Sequence, residues 1–146
     1  MHILTMGYGV PGTLATVEQF VKDGGVVFDI RFSPWSANPI WRKESLVARF
    51  GAAYRHVRAL GNQNYKGGPI AIVDFEAGRR LIEASAAPVT LMCACKDAHQ
   101  CHRGVVARFL QESGHTTSEI EYRVVEPKPK AKKDKTDPVQ PMLIEC

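Results

Sequence analysis

Val26-Val27-Phe28-Asp29-Ile30 is an apolar run broken by one carboxylate, preceded by Gly24-Gly25 and followed by Arg31. A run this short, without polar alternation, reads as a strand covered by helices on both faces, as in a parallel sheet. Upstream, His2 to Met6 is a second short buried strand. Thr13 then precedes an amphipathic helix with Leu14, Val17, Phe20 and Val21 on one face, stopped by the glycine pair. Downstream, Arg31 to Ile40 is a loop carrying Pro34, Trp35 and Pro39. A helix over 44–53 follows, with Leu46, Val47 and Phe50 inward, and Tyr54 to Val57 is a third strand.

The rest of the chain continues the alternation. After a Gly- and Asn-rich loop at 60–70, the spacing predicts a helix from Asp74 to Ala86 that buries Phe75, Ala77, Leu81 and Ile82. Pro88 opens the strand Val89-Thr90-Leu91-Met92-Cys93. A fourth helix over 102–113 buries Val105, Val106, Phe109 and Leu110 and ends before Gly114, and residues 119–125 alternate like a fifth strand. The expected fold is therefore α/β: a single three-layer domain over residues 1–125, with a mainly parallel sheet of about five strands flanked by helices. Residues 126–146, rich in Lys and Pro, are expected to be a disordered tail.

The chain has 146 residues, of which 45% are hydrophobic and 23% charged, the balance of a soluble globular domain. No apolar run approaches the roughly 18 residues of a membrane span, and the N-terminus lacks the basic and apolar regions of a secretory signal. A cytoplasmic protein without membrane contacts is expected. The net charge is +4: residues 1–125 carry a mild excess of 14 basic over 11 acidic side chains, and a local basic run of five Lys and one Asp lies between Lys128 and Lys135. Residues 1–125 are too mildly basic for charge alone to mark a nucleic-acid binder. Of four cysteines, Cys93, Cys95 and Cys101 fall within nine residues and Cys146 is distant. A disulfide framework would spread them, so the clustering points to a site with reduced thiols.

In open α/β sheets, ligands sit beyond the carboxyl ends of the strands. Those ends deliver Gly7-Tyr8-Gly9, Asp29-Ile30-Arg31, Leu60-Gly61-Asn62 and the segment Cys93 to Arg103. Cys101 falls at the cap or first turn of a helix, where unpaired N–H groups and the positive helix end favour a thiolate. The candidate catalytic residues are thus Cys101, His102 and Cys93. Gly7, Tyr8, Asp29, Arg31, Gly61, Asn62, Lys96, Asp97 and Arg103 are the candidate ligand-binding residues. Asp29 and Arg31 share a strand face by their spacing and are expected to pair. His56, His99 and His115 have no evident partners.

Leu91-Met92-Cys93-Ala94, with Lys96-Asp97 and Cys101-His102-Arg103, resembles the signature of the family called domain of unknown function 488. The resemblance extends to Thr5-Met6-Gly7, Asp29-Ile30-Arg31, Asn38-Pro39 and Tyr54 through Leu60-Gly61, covering about residues 2–124. Tyr8 and Gly9 stand where the family usually has His and Ser, and the loop between Asn64 and Asp74 is short. The resemblance implies a small α/β fold with a shared pocket and supplies no activity.

The leading reading is a small enzyme that holds an anionic, nucleotide-like or nucleic-acid-derived ligand at the strand ends, with a Cys/His/Arg site. Its cofactor is unknown. Gly7-Tyr8-Gly9-Val10-Pro11-Gly12 matches a dinucleotide fingerprint in form, but Pro11 interrupts the expected helix start. One alternative is a non-catalytic nucleic-acid or protein-binding module, with Trp35 and Trp41 stacking bases among Arg31, Arg42 and Lys43. Another is a metal protein using Cys93, Cys95, Cys101 and His102, four zinc-competent groups in ten residues. Adjacent Cys101 and His102 point about 100° apart on a helix, so no residue is assigned as a metal ligand.

Overall fold

The structure is a computed structural model that describes residues 1–95 and 101–122. Lys96, Asp97, His99 and the expected tail lie outside the described residues. The elements run β1 (His2–Gly7), α1 (Thr13–Lys22), β2 (Val26–Asp29), α2 (Lys43–Phe50) and β3 (Tyr54–His56). They continue with α3 (Phe75–Glu83), β4 (Val89–Cys93), α4 (His102–Glu112) and β5 (Thr116–Glu119). The five strands form one parallel sheet in the order β3-β2-β4-β1-β5.

Each strand end is fixed by register. Gly7 lies opposite Cys93, and Asp29 lies opposite Met92, so the last residues of β1, β4 and β2 form one row. Side chains alternate across the sheet. Met6, Val27, Tyr54 and Met92 face Val17 of α1 and Leu46 of α2. Ile3, Phe28, Leu91 and Cys93 face Ile82 of α3 and Val106 and Leu110 of α4. This makes the three-layer α/β arrangement, with α1 and α2 on one face and α3 and α4 on the other. The chain therefore leaves β1 and β4, which are neighbours, toward opposite faces, and a crevice opens between them.

The helix ends follow local chemistry. Asp74 caps α3 by accepting the Ala77 N–H at 3.1 Å. Gly114, at φ 99°, takes the left-handed turn after α4. The helix predicted over 44–53 stops at Phe50, because Gly51 at φ 56° turns the chain into a short 3-10 segment, Gly51–Ala53. The helix predicted to Ala86 stops at Glu83, where Ser85 Oγ accepts the Ala87 N–H and holds a turn instead.

Two side chains expected inward are exposed, Val47 at 47% and Val105 at 39%. Leu46 and Phe50 already form the buried stripe of α2, and Val47 stands about 100° round the helix. Val106 and Leu110 form the corresponding stripe of α4. The fifth strand is Thr116–Glu119, earlier than the predicted 119–125. Its Thr-Thr-Ser-Glu sequence suits an edge strand with a solvated surface, so apolar alternation does not mark it. Among the described residues, no helix is long and apolar enough to cross a membrane.

Candidate thiol site and its pocket

Cys93 closes β4 with its side chain wholly buried, and Cys101 is the N-cap of α4, 5% exposed. The two sulfurs lie 2.7 Å apart. Neither is in a disulfide. Burial pushes the Cys93 thiol well up, so it keeps its proton and donates to Cys101. The Cys101 thiol is pushed far down, first by that hydrogen bond from Cys93 and next by one from Cys95. The Arg103 backbone N–H leans the same way, although it does not complete a cap hydrogen bond. The pair thus carries one negative charge, centred on Cys101.

His102 completes the polar contacts of Cys101. Its Nε2 lies 2.7 Å from the Ile30 carbonyl, which can only accept, so Nε2 carries a proton. Its Nδ1 lies 3.8 Å from Cys101 Sγ, and a hydrogen bond from the ring there favours the thiolate.

Behind the sulfurs, Arg103 is 1% exposed. Its Nη1 donates to Cys93 Sγ at 3.1 Å and to the Cys95 carbonyl at 2.7 Å, and its Nε donates to Glu119 at 2.9 Å. Burial opposes its charge, but the hydrogen bonds it donates to Glu119 and its contact with the Cys93 sulfur outweigh burial and raise its pKa. Glu119 also accepts from Thr5 at 2.6 Å and from Tyr122 at 3.0 Å. Tyr122 in turn accepts the Gly7 N–H at 3.1 Å, and burial pushes its phenol up to about 12. Gly7 is glycine for a steric reason: a Cβ there would sit 1.7 Å from the Cys95 carbonyl oxygen.

A second charged group lies at the end of β2. Asp29, wholly buried, takes two hydrogen bonds from Arg31, Nε at 2.8 Å and Nη2 at 2.6 Å, and one from Tyr54 Oη at 2.5 Å. His56 Nε2 bonds the Arg31 carbonyl at 2.6 Å, and His115 bonds Glu83 at 2.7 Å, so both histidines expected to be unpartnered have partners. Trp41 is buried and stacks on Tyr8 at 4.9 Å, with the Arg31 guanidinium 5.3 Å from the Tyr8 ring. It therefore offers no face to a base, in contrast to the expectation for the Trp loop. Trp35 is 60% exposed, with Arg42 4.8 Å from its ring.

These groups border a pocket of about 530 Å³ at the strand ends. Its wall combines Cys101, His102, Cys95 and Ala94 from the thiol loop with Tyr8, Arg31, Phe32, Ser33 and Trp35. Asn62, Tyr65, Lys66 and Ile70 close the other side. No carboxylate lines it among the described residues. Of the predicted site residues, Cys101, His102, Tyr8, Arg31 and Asn62 converge on this pocket. Cys93 and Arg103 lie behind its wall. Asp29 supports Arg31 from below, and Gly7 and Gly61 allow close backbone packing, Gly61 against Phe32. Sequence reasoning missed Tyr54, Tyr122 and Glu119, and passed over Tyr65 and Lys66 as loop residues. Among the described residues, no group of three or more His, Cys, Asp or Glu side chains is placed to hold a metal ion.

Fold and site together define a small parallel α/β protein with a paired-thiol centre at the strand ends. Residues 72–110, from just before α3 into α4, match the model of the domain of unknown function DUF488. That stretch contains Cys93, Cys101, His102 and Arg103, and it is shorter than the span of residues 2–124 over which the resemblance is read. No curated protein and no solved structure matches the chain.

Proposed function

We propose that the protein is a thiol-dependent enzyme acting on a small anionic ligand. One observation carries this reading: the Cys101 sulfur is at once part of the pocket wall and hydrogen-bonded to the buried Cys93 thiol. A thiolate is the nucleophilic form of cysteine, and it is useful only where a substrate can reach it. His102 Nδ1 stands near enough to move a proton to or from that sulfur or a leaving group. Lys66 and Arg31 favour an anion, and Tyr8, Phe32, Trp35 and Tyr65 favour a ring. The volume suits a small molecule.

The test is site-resolved labelling of the native protein with iodoacetamide, with and without AMP as a probe of ring-bearing anions. Cys101 should label fastest near pH 6, AMP should slow it, and Lys66→Glu should remove that protection. Labelling of Cys101 no faster than in the unfolded chain would overturn the thiolate, and absence of AMP protection would count against a nucleotide-like ligand.

A further inference from the structure

Cys93 is a second sulfur within contact distance of the first, and thiolate attack on a substrate uses it only as a hydrogen-bond donor. Its side chain is wholly buried and does not line the pocket, so of the two paired cysteines a ligand meets only Cys101. Yet its Sγ is 2.7 Å from Cys101 Sγ, and closing to the roughly 2.05 Å of a disulfide needs a movement of less than about 1 Å. Arg103 Nη1, 3.1 Å from Cys93 Sγ, offers a positive charge to a thiolate formed there. An entry thiol facing the pocket and a hidden thiol directly behind it is the arrangement that thiol–disulfide exchange requires.

We propose that Cys101 and Cys93 form a two-thiol redox pair that reduces a low-molecular-weight, carboxylate-bearing disulfide held in the pocket. The proposal rests on the thiolate reading of Cys101 and names its substrate class. The Cys101 thiolate attacks one sulfur of the substrate R–S–S–R, forming Cys101–S–S–R and expelling R–S⁻. The Cys93 sulfur then attacks Cys101 Sγ, the second R–S⁻ departs, and the Cys93 proton leaves with it as R–SH. The substrate gains two electrons, and the chain is oxidised to a Cys93–Cys101 disulfide. A dithiol reductant returns the pair to its starting state. Lys66 and Arg31 would face the carboxylates of the substrate. A bulky disulfide suits the pocket volume, which a peroxide would leave mostly empty.

The experiment treats the reduced full chain with oxidised glutathione, quenches with iodoacetamide, and reads intact mass and cysteine-resolved peptides. The wild type should become a Cys93–Cys101 disulfide without accumulating an adduct, and Cys93→Ala should accumulate a glutathionyl group on Cys101 as its main product. The wild-type result stands on its own should the variant fail to fold. A persistent adduct on wild-type Cys101, or a bridge from Cys101 to Cys95, would overturn the assignment of Cys93. So would Cys101 that labels with iodoacetamide but ignores oxidised glutathione; in that case the thiolate reading stands and the redox reading falls. An internal disulfide formed with hydrogen peroxide but not with oxidised glutathione would overturn the substrate class. Inertness to both reagents would remove both readings together.

Discussion

Glu119 grips Arg103 with both carboxylate oxygens, Nε to Oε2 at 2.9 Å and Nη2 to Oε1 at 3.2 Å. The grip ties the end of β5 to the first turn of α4 and aims the remaining guanidinium nitrogen at Cys93. Glu119 is 38% exposed on its side chain, so the pair is less costly to break than a fully buried one. Glu119→Gln should lower stability by about 2 kcal/mol, and Arg103→Ala by about 3 kcal/mol, since it also empties a buried volume. Urea unfolding midpoints with an unchanged slope check both. An Arg103→Ala midpoint equal to wild type would contradict the packing described.

Gly7→Ala should destabilise the chain by about 1–3 kcal/mol, because its methyl group meets the Cys95 carbonyl at 1.7 Å. The relief open to the protein is to push residues 94–95 outward, which moves Cys95 away from the two sulfurs. Thermal unfolding and the labelling rate of Cys95 should therefore change together. A stability loss with unchanged Cys95 labelling would mean that β1, not the loop, gives way.

Asp29→Asn should cost about 3–5 kcal/mol, because it leaves the buried Arg31 guanidinium without its carboxylate. Tyr54→Phe removes one of the three side-chain hydrogen bonds to the same carboxylate and should cost about 1 kcal/mol. The Tyr54 phenol is raised by burial and by the neighbouring Asp29 charge, so it stays a donor across the physiological range. Denaturant titration of the two variants separates the charge effect from the hydrogen-bond effect.

The pH dependence of Cys101 alkylation has a defined sign. An ordinary thiol reacts about tenfold faster for each unit of rising pH below its pKa near 8.5. Because the Cys101 pKa is lowered chiefly by the Cys93 hydrogen bond, its rate should be flat from about pH 6 to 9. Cys93→Ala removes that donor, so the rate at pH 6 should fall by about tenfold or more while the rate at pH 9 changes little. Stopped-time labelling with peptide mapping reads this directly, and a parallel drop at both pH values would refute the hydrogen bond as the cause.

The strand-and-helix alternation was legible because most elements announce themselves: Val26–Ile30 by its unbroken apolar character, α1 by its stripe and terminal glycines. β5 was misplaced because its pairing with β1 is a backbone matter and its side chains are polar. That shift also hid Glu119, whose importance depends on lying beside Thr5 in the sheet. Cys101 and His102 could be read from their place before a helix. The relation between Cys93 and Cys101 could not, since a spacing of eight residues does not say how near the end of β4 lies to the start of α4. Arg103 looked like a ligand group by its neighbours in sequence. In the fold its helical position turns it inward, onto Glu119.

The strand order also governs how this chain can be made. β1 is synthesised before the other four strands, yet its two neighbours in the sheet are Val89–Cys93 and Thr116–Glu119. At roughly 5–20 residues per second, the first strand waits on the order of 10 s for a partner. Until then Ile3 and Met6 have no sheet to enter, and the nascent chain offers a bare apolar segment to chaperones or to other chains. Pairings this distant in sequence also predict slow refolding from denaturant.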